Sequence, residues 1–293
     1  MAIGRFRFWT KNLPLPAEMQ TPALRIYEEL YNEHPDYIAL RNQEGVVWNK
    51  YRDDVLHYKI KHAYELVRDM PYSSILEVGC AIGFFLHNFP GRNTTRRCGI
   101  DISTENIISA KREYPTISFF AGTLAEFRRQ HPRSHFDLVL LSDILEHLED
   151  DVGLLHACGS MGKYVLLNLP LEKVEEYRNR NYGMEDKEGH LRAYGKEDAF
   201  EMFAEAGLRA VRFLEAQYVR EPVFRKYLFN KLVKNSSGDR LKGLIQYTEE
   251  LIHIDNNPGY YKSNLFALLT QARAAKKSRS NAGRGTEPYR LKN

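Results

Sequence analysis

The chain has 293 residues, 43% of them apolar and 12% aromatic, which is enough to bury a full core and fits one large α/β domain with extensions better than two independent domains. No apolar run approaches the roughly 18 residues needed to cross a bilayer, and the N-terminus carries Arg5 and Arg7 without the apolar stretch of a signal peptide. A soluble, cytoplasmic protein is therefore expected. Cys80, Cys98 and Cys158 show no C-x-x-C spacing and fall inside apolar patterns, so they read as reduced core residues with no disulfide or zinc role. The formal net charge of +4 is uneven: residues 272–293 hold seven basic side chains and one acid, which leaves a net of −2 on the rest. The body offers no evident track for phosphates, so nucleic acid is a disfavoured but open partner, and the basic tail 272–293 reads as disordered.

Residues 1–49 read as an N-terminal arm with a short helix around Ala23–Asn32. From Lys50, Leu56, Ile60, Ala63 and Val67 recur at helical spacing up to Pro71. Ile75, Leu76 and Val78 then form a short apolar run that ends in Gly79-Cys80-Ala81-Ile82-Gly83, and Phe84, Phe85 and Leu86 open a new apolar pattern. This is a buried strand, a tight small-residue turn and a helix. Glycine in such a turn permits positive φ and close approach of a ligand, and the helix behind it points free N–H groups at polar ligand atoms. Arg96–Asp101 is a second strand that ends in an acid, and Ser103–Tyr114 is the helix after it. Asp101 has two readings, an acceptor for ribose hydroxyls or a helix-start residue.

Ile117–Phe120 is a third strand, followed by Ala121-Gly122-Thr123-Leu124. Phe136–Leu141 and Gly162–Leu169 are continuous apolar runs of the kind found in central parallel strands covered on both faces, the second ended by Pro170. Glu197–Ala206 is a helix closed by Gly207, and Leu208–Leu214 and Asn264–Leu269 are the last strands. The residues between them, about 220–260, are mostly helical in pattern and longer than a hairpin needs, which makes them a candidate substrate cover. Alternating strands and helices predict a doubly wound, mostly parallel sheet over residues 50–271, with ligand binding at the C-terminal strand ends.

The E-x-G-x-x-x-G spacing of Glu77, Gly79 and Gly83, with Asp101 at the end of the next strand, resembles the first motifs of class I S-adenosylmethionine (SAM) dependent methyltransferases. The resemblance covers roughly Tyr51–Gln271. It implies a seven-stranded Rossmann-like sheet with a final antiparallel pair and SAM held by Glu77, Gly79, Cys80, Ala81, Gly83, Asp101, Ile102, Thr123, Leu124 and Ser142. Ala81 departs from the fully glycine-rich turn, and Thr123 stands where the family commonly places an acid against the adenine. The helix from Lys50 would cover the SAM pocket, with Tyr51 and Arg52 near the cofactor and Arg52 opposite its methionine carboxylate.

After the fourth strand comes Ser142-Asp143-Ile144-Leu145-Glu146-His147, and Gly189-His190 follows in a later loop. The spacing would put Asp143, Glu146 and His147 on one face of a helix. This D-x-x-E-H segment resembles ubiquinone-pathway O-methyltransferases and, with a later His, small-RNA 3′-end 2′-O-methyltransferases. By that resemblance Asp143, Glu146, His147 and His190 would hold a divalent metal, with Mn²⁺, Fe²⁺ or Zn²⁺ suiting the donors better than Mg²⁺. Two other readings stand beside it: His147 as a metal-free base, or Glu146 and His147 as structural groups. A hydroxyl is a poor nucleophile near neutral pH and needs a metal or a base, whereas an amine needs less help. The expectation is a SAM-dependent O-methyltransferase acting on a small molecule or sugar. An RNA 3′ end, or a non-catalytic SAM-binding subunit, are the alternatives.

Overall fold

The computed structural model describes residues 34–91, 94–183, 186–234, 239–272 and 289–290. Eight strands form one sheet: β1 (Ser74–Val78), β2 (Arg96–Asp101), β3 (Ser118–Ala121), β4 (Phe136–Ser142), β5 (Gly162–Leu171), β6 (Leu208–Ala216), β7 (Ser263–Gln271) and β8 (Tyr289–Arg290). Their order is β3-β2-β1-β4-β5-β7-β6-β8. The first five strands are parallel, and β7 runs antiparallel to both β5 and β6. The expected seven-stranded arrangement is present, and the two-residue β8 extends it by pairing parallel with β6. Those two residues are the described part of the basic tail beyond Ala272. The remainder of the tail, like the helix expected at Ala23–Asn32, lies outside the described residues.

Side chains on successive strand residues point to opposite faces, so each strand feeds two cores. Leu76, Val78, Val139 and Leu141 pack on one side with α6 (Leu124–Gln130), α7 (Asp151–Met161) and α8 (Lys196–Glu205). Ile75, Leu138 and Leu140 pack on the other side, with Tyr58, Val67 and Phe85. That second layer comprises α1 (Pro35–Arg41), α2 (Gly45–Asp53), a π-helical stretch Asp54–Ile60 and α3 (Lys61–Glu65), together with α4 (Phe84–Asn88) and α5 (Thr104–Glu113).

The helix expected from Lys50 therefore exists, but the π stretch shifts its phase. Ile60, Ala63 and Val67 are buried as their spacing implies, while Val55 and Tyr58 take the place expected of Leu56, which is only half-buried. An extra residue per turn is the cause, and such π turns occur preferentially at functional sites. Strand β5 likewise runs past Pro170 to Leu171. Its pairing with β4 ends at Asn168, so the N–H that proline lacks has no ladder partner to lose on that side. Between β6 and β7 the chain forms α9 (Pro222–Phe229) and α10 (Arg240–Asn256), which pack around Leu228, Ile254 and Tyr261.

Candidate active site

The turn after β1 is held open by three left-handed residues, Gly79 (φ 75°), Ala81 (φ 46°) and Gly83 (φ 78°). β2 grips it. The amides of Gly79 and Cys80 both donate to the Ile100 carbonyl at 2.8 and 2.9 Å, and the Ala81 amide donates to Asp101 Oδ2 at 2.8 Å. Asp101 Oδ1 accepts from the Ser103 amide at 2.9 Å, so this acid fastens both the turn and the start of α5. Oδ1 also accepts from Asn106 Nδ2 at 3.5 Å, so the remaining acceptor capacity for a ligand hydroxyl is the second lone pair of Oδ2. Ile102 is half-buried beside it.

Glu77 is 2% exposed, its Oε2 is buried without a hydrogen-bond partner, and burial pushes its pKa well above the ordinary carboxyl range. A buried carboxyl in that condition sits where a cationic ligand group would stabilise its ionised form. Together with the left-handed turn, this acceptor fits the methionine end of SAM.

The other residues expected at the cofactor are placed as follows. Cys80 is buried, with Sγ close behind Gly99. Thr123 caps α6 in a reciprocal capping box with Glu126, its Oγ1 lying 3.0 Å from Glu126 Oε2, and Leu124 is buried in the core below. Tyr51 packs against Trp48 and against Phe84, the residue that follows the Gly turn, and burial, then the charges of Glu77 and Asp143, push its phenol pKa well up. Arg52 turns aside to Asp53 at 3.4 Å.

The cation that reaches the end of β4 is Lys59, which sequence reasoning missed. From the π stretch, Lys59 Nζ donates to Asp143 Oδ2 at 2.6 Å. Asp143 sits at the end of β4 with φ 51°. It also accepts from Ser142 Oγ at 3.1 Å and Asn168 Nδ2 at 3.0 Å. Burial opposes its charge, but Lys59 and the Ser142 hydroxyl hold its pKa below the usual value. Behind it runs a buried polar chain: Asn264 Nδ2 donates to Asn168 Oδ1 at 2.8 Å, and the Tyr58 hydroxyl donates to Asn264 Oδ1 at 3.0 Å.

The segment after Asp143 is a short 3₁₀ turn, Leu145–His147, and the α-helix expected there is absent. The left-handed backbone at Asp143 breaks the helical path and sends its side chain toward Lys59. Among the four groups expected to share a metal, Asp143 is thus the one whose oxygens do not join the converging ligand atoms, although its charge still reaches Glu146. Glu146, His147 and His190 do come together, with one ligand atom from each lying within 4.8 Å of the others.

Glu146 is 1% exposed, and both of its oxygens lack a hydrogen-bond partner. Burial, then the nearby charge of Asp143, drives its pKa well up. His147 Nδ1 lies 3.0 Å from the Gly189 carbonyl, which can only accept, so the proton sits on Nδ1 and the lone pair on Nε2, 3.9 Å from Glu146 Oε1. Burial and then His190 lower its pKa to about 4, which keeps the ring neutral near neutral pH. His190 Nδ1 lies 2.8 Å from Glu172 Oε2. Glu172 is anchored by Arg180 at 3.2 Å and approached by Lys262 at 3.6 Å. A carboxylate behind the imidazole fixes the orientation of its ring, as is common behind metal-ligating histidines.

This is an α/β nucleotide-binding architecture, with the Gly turn, the β2 acid and the polar cluster all at the C-terminal ends of the parallel strands. A family model described as a methyltransferase domain matches residues 29–212, and the chain belongs to that family, the class I SAM-dependent methyltransferases. Over 93 residues it is 30% identical to the ubiquinone biosynthesis O-methyltransferase of Rhodopseudomonas palustris (strain BisB5); the match takes in 30% of this chain and 35% of the relative, so the chain spans about a third of the length of that curated protein. Among solved structures, the magnesium protoporphyrin IX methyltransferase (ChlM) of Synechocystis PCC 6803 with bound SAH (S-adenosylhomocysteine) superposes with a TM-score of 0.52 at 14% identity, over 83% of this chain and 98% of its own. The plantazolicin methyltransferase BamL gives a TM-score of 0.51 at 14% identity, over 85% and 96% of the two chains. At that identity these likenesses show the shared fold.

Proposed function

We propose that the chain transfers the methyl group of SAM to a hydroxyl of a small molecule or sugar, with a divalent cation held by Glu146, His147 and His190. The observation that carries this reading is the pair of buried, unpartnered Glu146 oxygens beside the imidazoles of His147 and His190, the first of which burial keeps neutral. An uncompensated buried carboxyl is costly, and a cation is the partner that satisfies all three groups at once. Mn²⁺, Fe²⁺ and Zn²⁺ suit two nitrogens and a carboxylate better than Mg²⁺ does. The partial match to a ubiquinone-pathway O-methyltransferase supports an oxygen acceptor.

SAM supplies an electrophilic methyl group. The protein has to place the acceptor in line with it and raise the acceptor's nucleophilicity. Glu77, Gly79, Ala81, Gly83 and Asp101 would hold the cofactor's methionine and ribose, and Gly122, Thr123 and Leu124 would flank its base. Ser142 and Asp143 close the site beneath the reacting centre. Lys59 keeps Asp143 ionised and fixed, and the Asn168–Asn264–Tyr58 chain fixes the strand ends that carry it. Glu146, His147 and His190 would hold the cation, whose chemistry there would be to lower the pKa of an acceptor hydroxyl. Glu172 holds His190 in the orientation this needs.

The test is transfer from methyl-labelled SAM to a panel of catechols and polyols, with and without EDTA. Labelled product that disappears with EDTA and returns with Mn²⁺ supports the reading. Transfer to amines only, or transfer indifferent to EDTA, overturns it.

A further inference from the structure

α10 buries one face against α9 and the 230–234 turn that follows it while leaving a second apolar face in water. Gly243 and Ile254 are buried on the inner side, where Gly243 lies so close to the Leu232 carbonyl that a side chain would collide with it. On the outer side, Leu241, Leu244, Ile245 and Ile252 are 65%, 45%, 51% and 55% exposed. Thr248 lies between them, its hydroxyl turned back to the Leu244 carbonyl at 2.9 Å, which leaves its methyl group for packing.

Positions 241, 245, 248 and 252 are spaced four, three and four apart. That is the d-a-d-a seam of a coiled coil, about 16 Å long on an α-helix. On the same assignment Lys242 and Glu249 both fall at e, and Leu244 and Leu251 at g.

We propose that α10 is the self-association surface of this protein, pairing antiparallel with α10 of a second copy. In an antiparallel pair a positions face d positions, so Leu241 meets Ile252 of the partner subunit and Ile245 meets Thr248 of the partner subunit, each contact occurring twice. Antiparallel helices also set e against e. Lys242 then faces Glu249 of the partner subunit, and Glu249 faces Lys242 of the partner subunit. Neither side chain has a salt-bridge partner among the described residues of its own chain. The sequence is thus self-complementary in both packing and charge about one two-fold axis, as an isologous interface demands. A parallel pair would oppose Glu249 to Leu244 of the partner subunit and lose the charge match.

The seam ends where it should. The next d position is Asp255, held by Arg225 at 2.8 Å on its own subunit. With its flanks the contact covers about 1,000 Å² in total, the low end for specific interfaces, so a reversible dimer is expected.

Sedimentation velocity on the full chain across about 1–100 µM tests this, a range that brackets micromolar affinity. A concentration-dependent monomer–dimer equilibrium is expected, abolished by Ile245→Glu with the circular dichroism spectrum unchanged. Lys242→Glu weakens the dimer about tenfold by turning two attractive pairs repulsive, and adding Glu249→Lys restores it. A monomer at every concentration, a dimer indifferent to Ile245→Glu, or a double variant as weak as Lys242→Glu overturns the proposal. A monomer that instead sediments with anionic phosphatidylglycerol vesicles through the same residues assigns the face to a lipid surface.

Discussion

Replacing Lys59 with methionine keeps the length and apolar stem of the side chain and removes the charge that faces Asp143 at 2.6 Å. The pair is partly screened, with side-chain exposures of 21% and 29%. The cost of an orphaned partner is therefore discounted from the 3–5 kcal/mol of a fully buried pair to about 2 kcal/mol. In the native protein Lys59 depresses the Asp143 pKa, so the pair's stabilisation is fully present above the unfolded carboxyl value of about 4 and fades as pH falls through the lower folded value. In Lys59→Met the Ser142 and Asn168 hydrogen bonds remain but the largest opposing charge is gone, so burial raises that pKa relative to the native protein and the variant gains relative stability on acidification as Asp143 takes up a proton. Urea denaturation should give a deficit of about 2 kcal/mol near pH 7 that narrows to under about 1 kcal/mol near pH 4. Lys59→Met/Asp143→Asn should recover most of the loss near neutral pH, because both charges are then gone. A deficit below about 0.5 kcal/mol, or one that is the same at both pH values, would refute the assignment of Lys59 as the counter-ion of Asp143.

Other expectations follow from the same geometry. Gly79→Ala places a methyl group 1.9 Å from Ile144 Cδ1 at a residue with φ 75°; the strained turn should lower SAH affinity by at least about tenfold in calorimetry, while a displacement of Ile144 that leaves affinity intact would contradict the cradle. Glu77→Gln should likewise weaken SAH at least about fivefold with little loss of stability, since the neutral amide cannot balance a cationic ligand group. Asp137 accepts from the amides and hydroxyls of Ser73 and Ser74 at 2.8–3.1 Å, and these bonds lower its pKa to about 2. Its contribution is present above the unfolded carboxyl pKa and is lost toward about pH 2, so Asp137→Asn should cost about 1 kcal/mol near neutral pH and almost nothing in strong acid; a constant difference across that range would contradict it.

The cofactor half of the site was legible because its parts are adjacent in the chain. Glu77, Gly79 and Gly83 belong to one strand-turn-helix unit, Asp101 ends the next strand, and the right-handed crossover of a parallel pair forces them together. The continuous apolar runs at Phe136–Leu141 and Gly162–Leu169 fixed the central strands for the same reason, since a strand covered on both faces has no polar alternation to lose.

The polar half was only partly legible. Lys59 is a lysine in a helical pattern and reads as a solvated residue; only its π turn and a partner 84 residues away bring it inward. Glu172 follows a proline that looked like the end of a strand, and Asn168 and Asn264 meet through an antiparallel register that no local pattern encodes. Asp143 was grouped with Glu146 and His147 on helical spacing. Its left-handed backbone, rare for a residue other than glycine, removed it from that face. The outer apolar face of α10 was visible only as part of a generally helical insert, because spacing alone does not say which of two apolar faces the fold covers.

The proposed function requires that Glu146, His147 and His190 form a cation site beside bound cofactor. Titrating Mn²⁺ calorimetrically into SAH-saturated protein, in parallel with Glu146→Gln and His190→Gln, addresses it directly. The account predicts one ion bound per chain and a loss of at least about tenfold in affinity in each variant. Absence of binding in the wild-type protein, or binding that both variants retain, would contradict it and return His147 to the role of a neutral base.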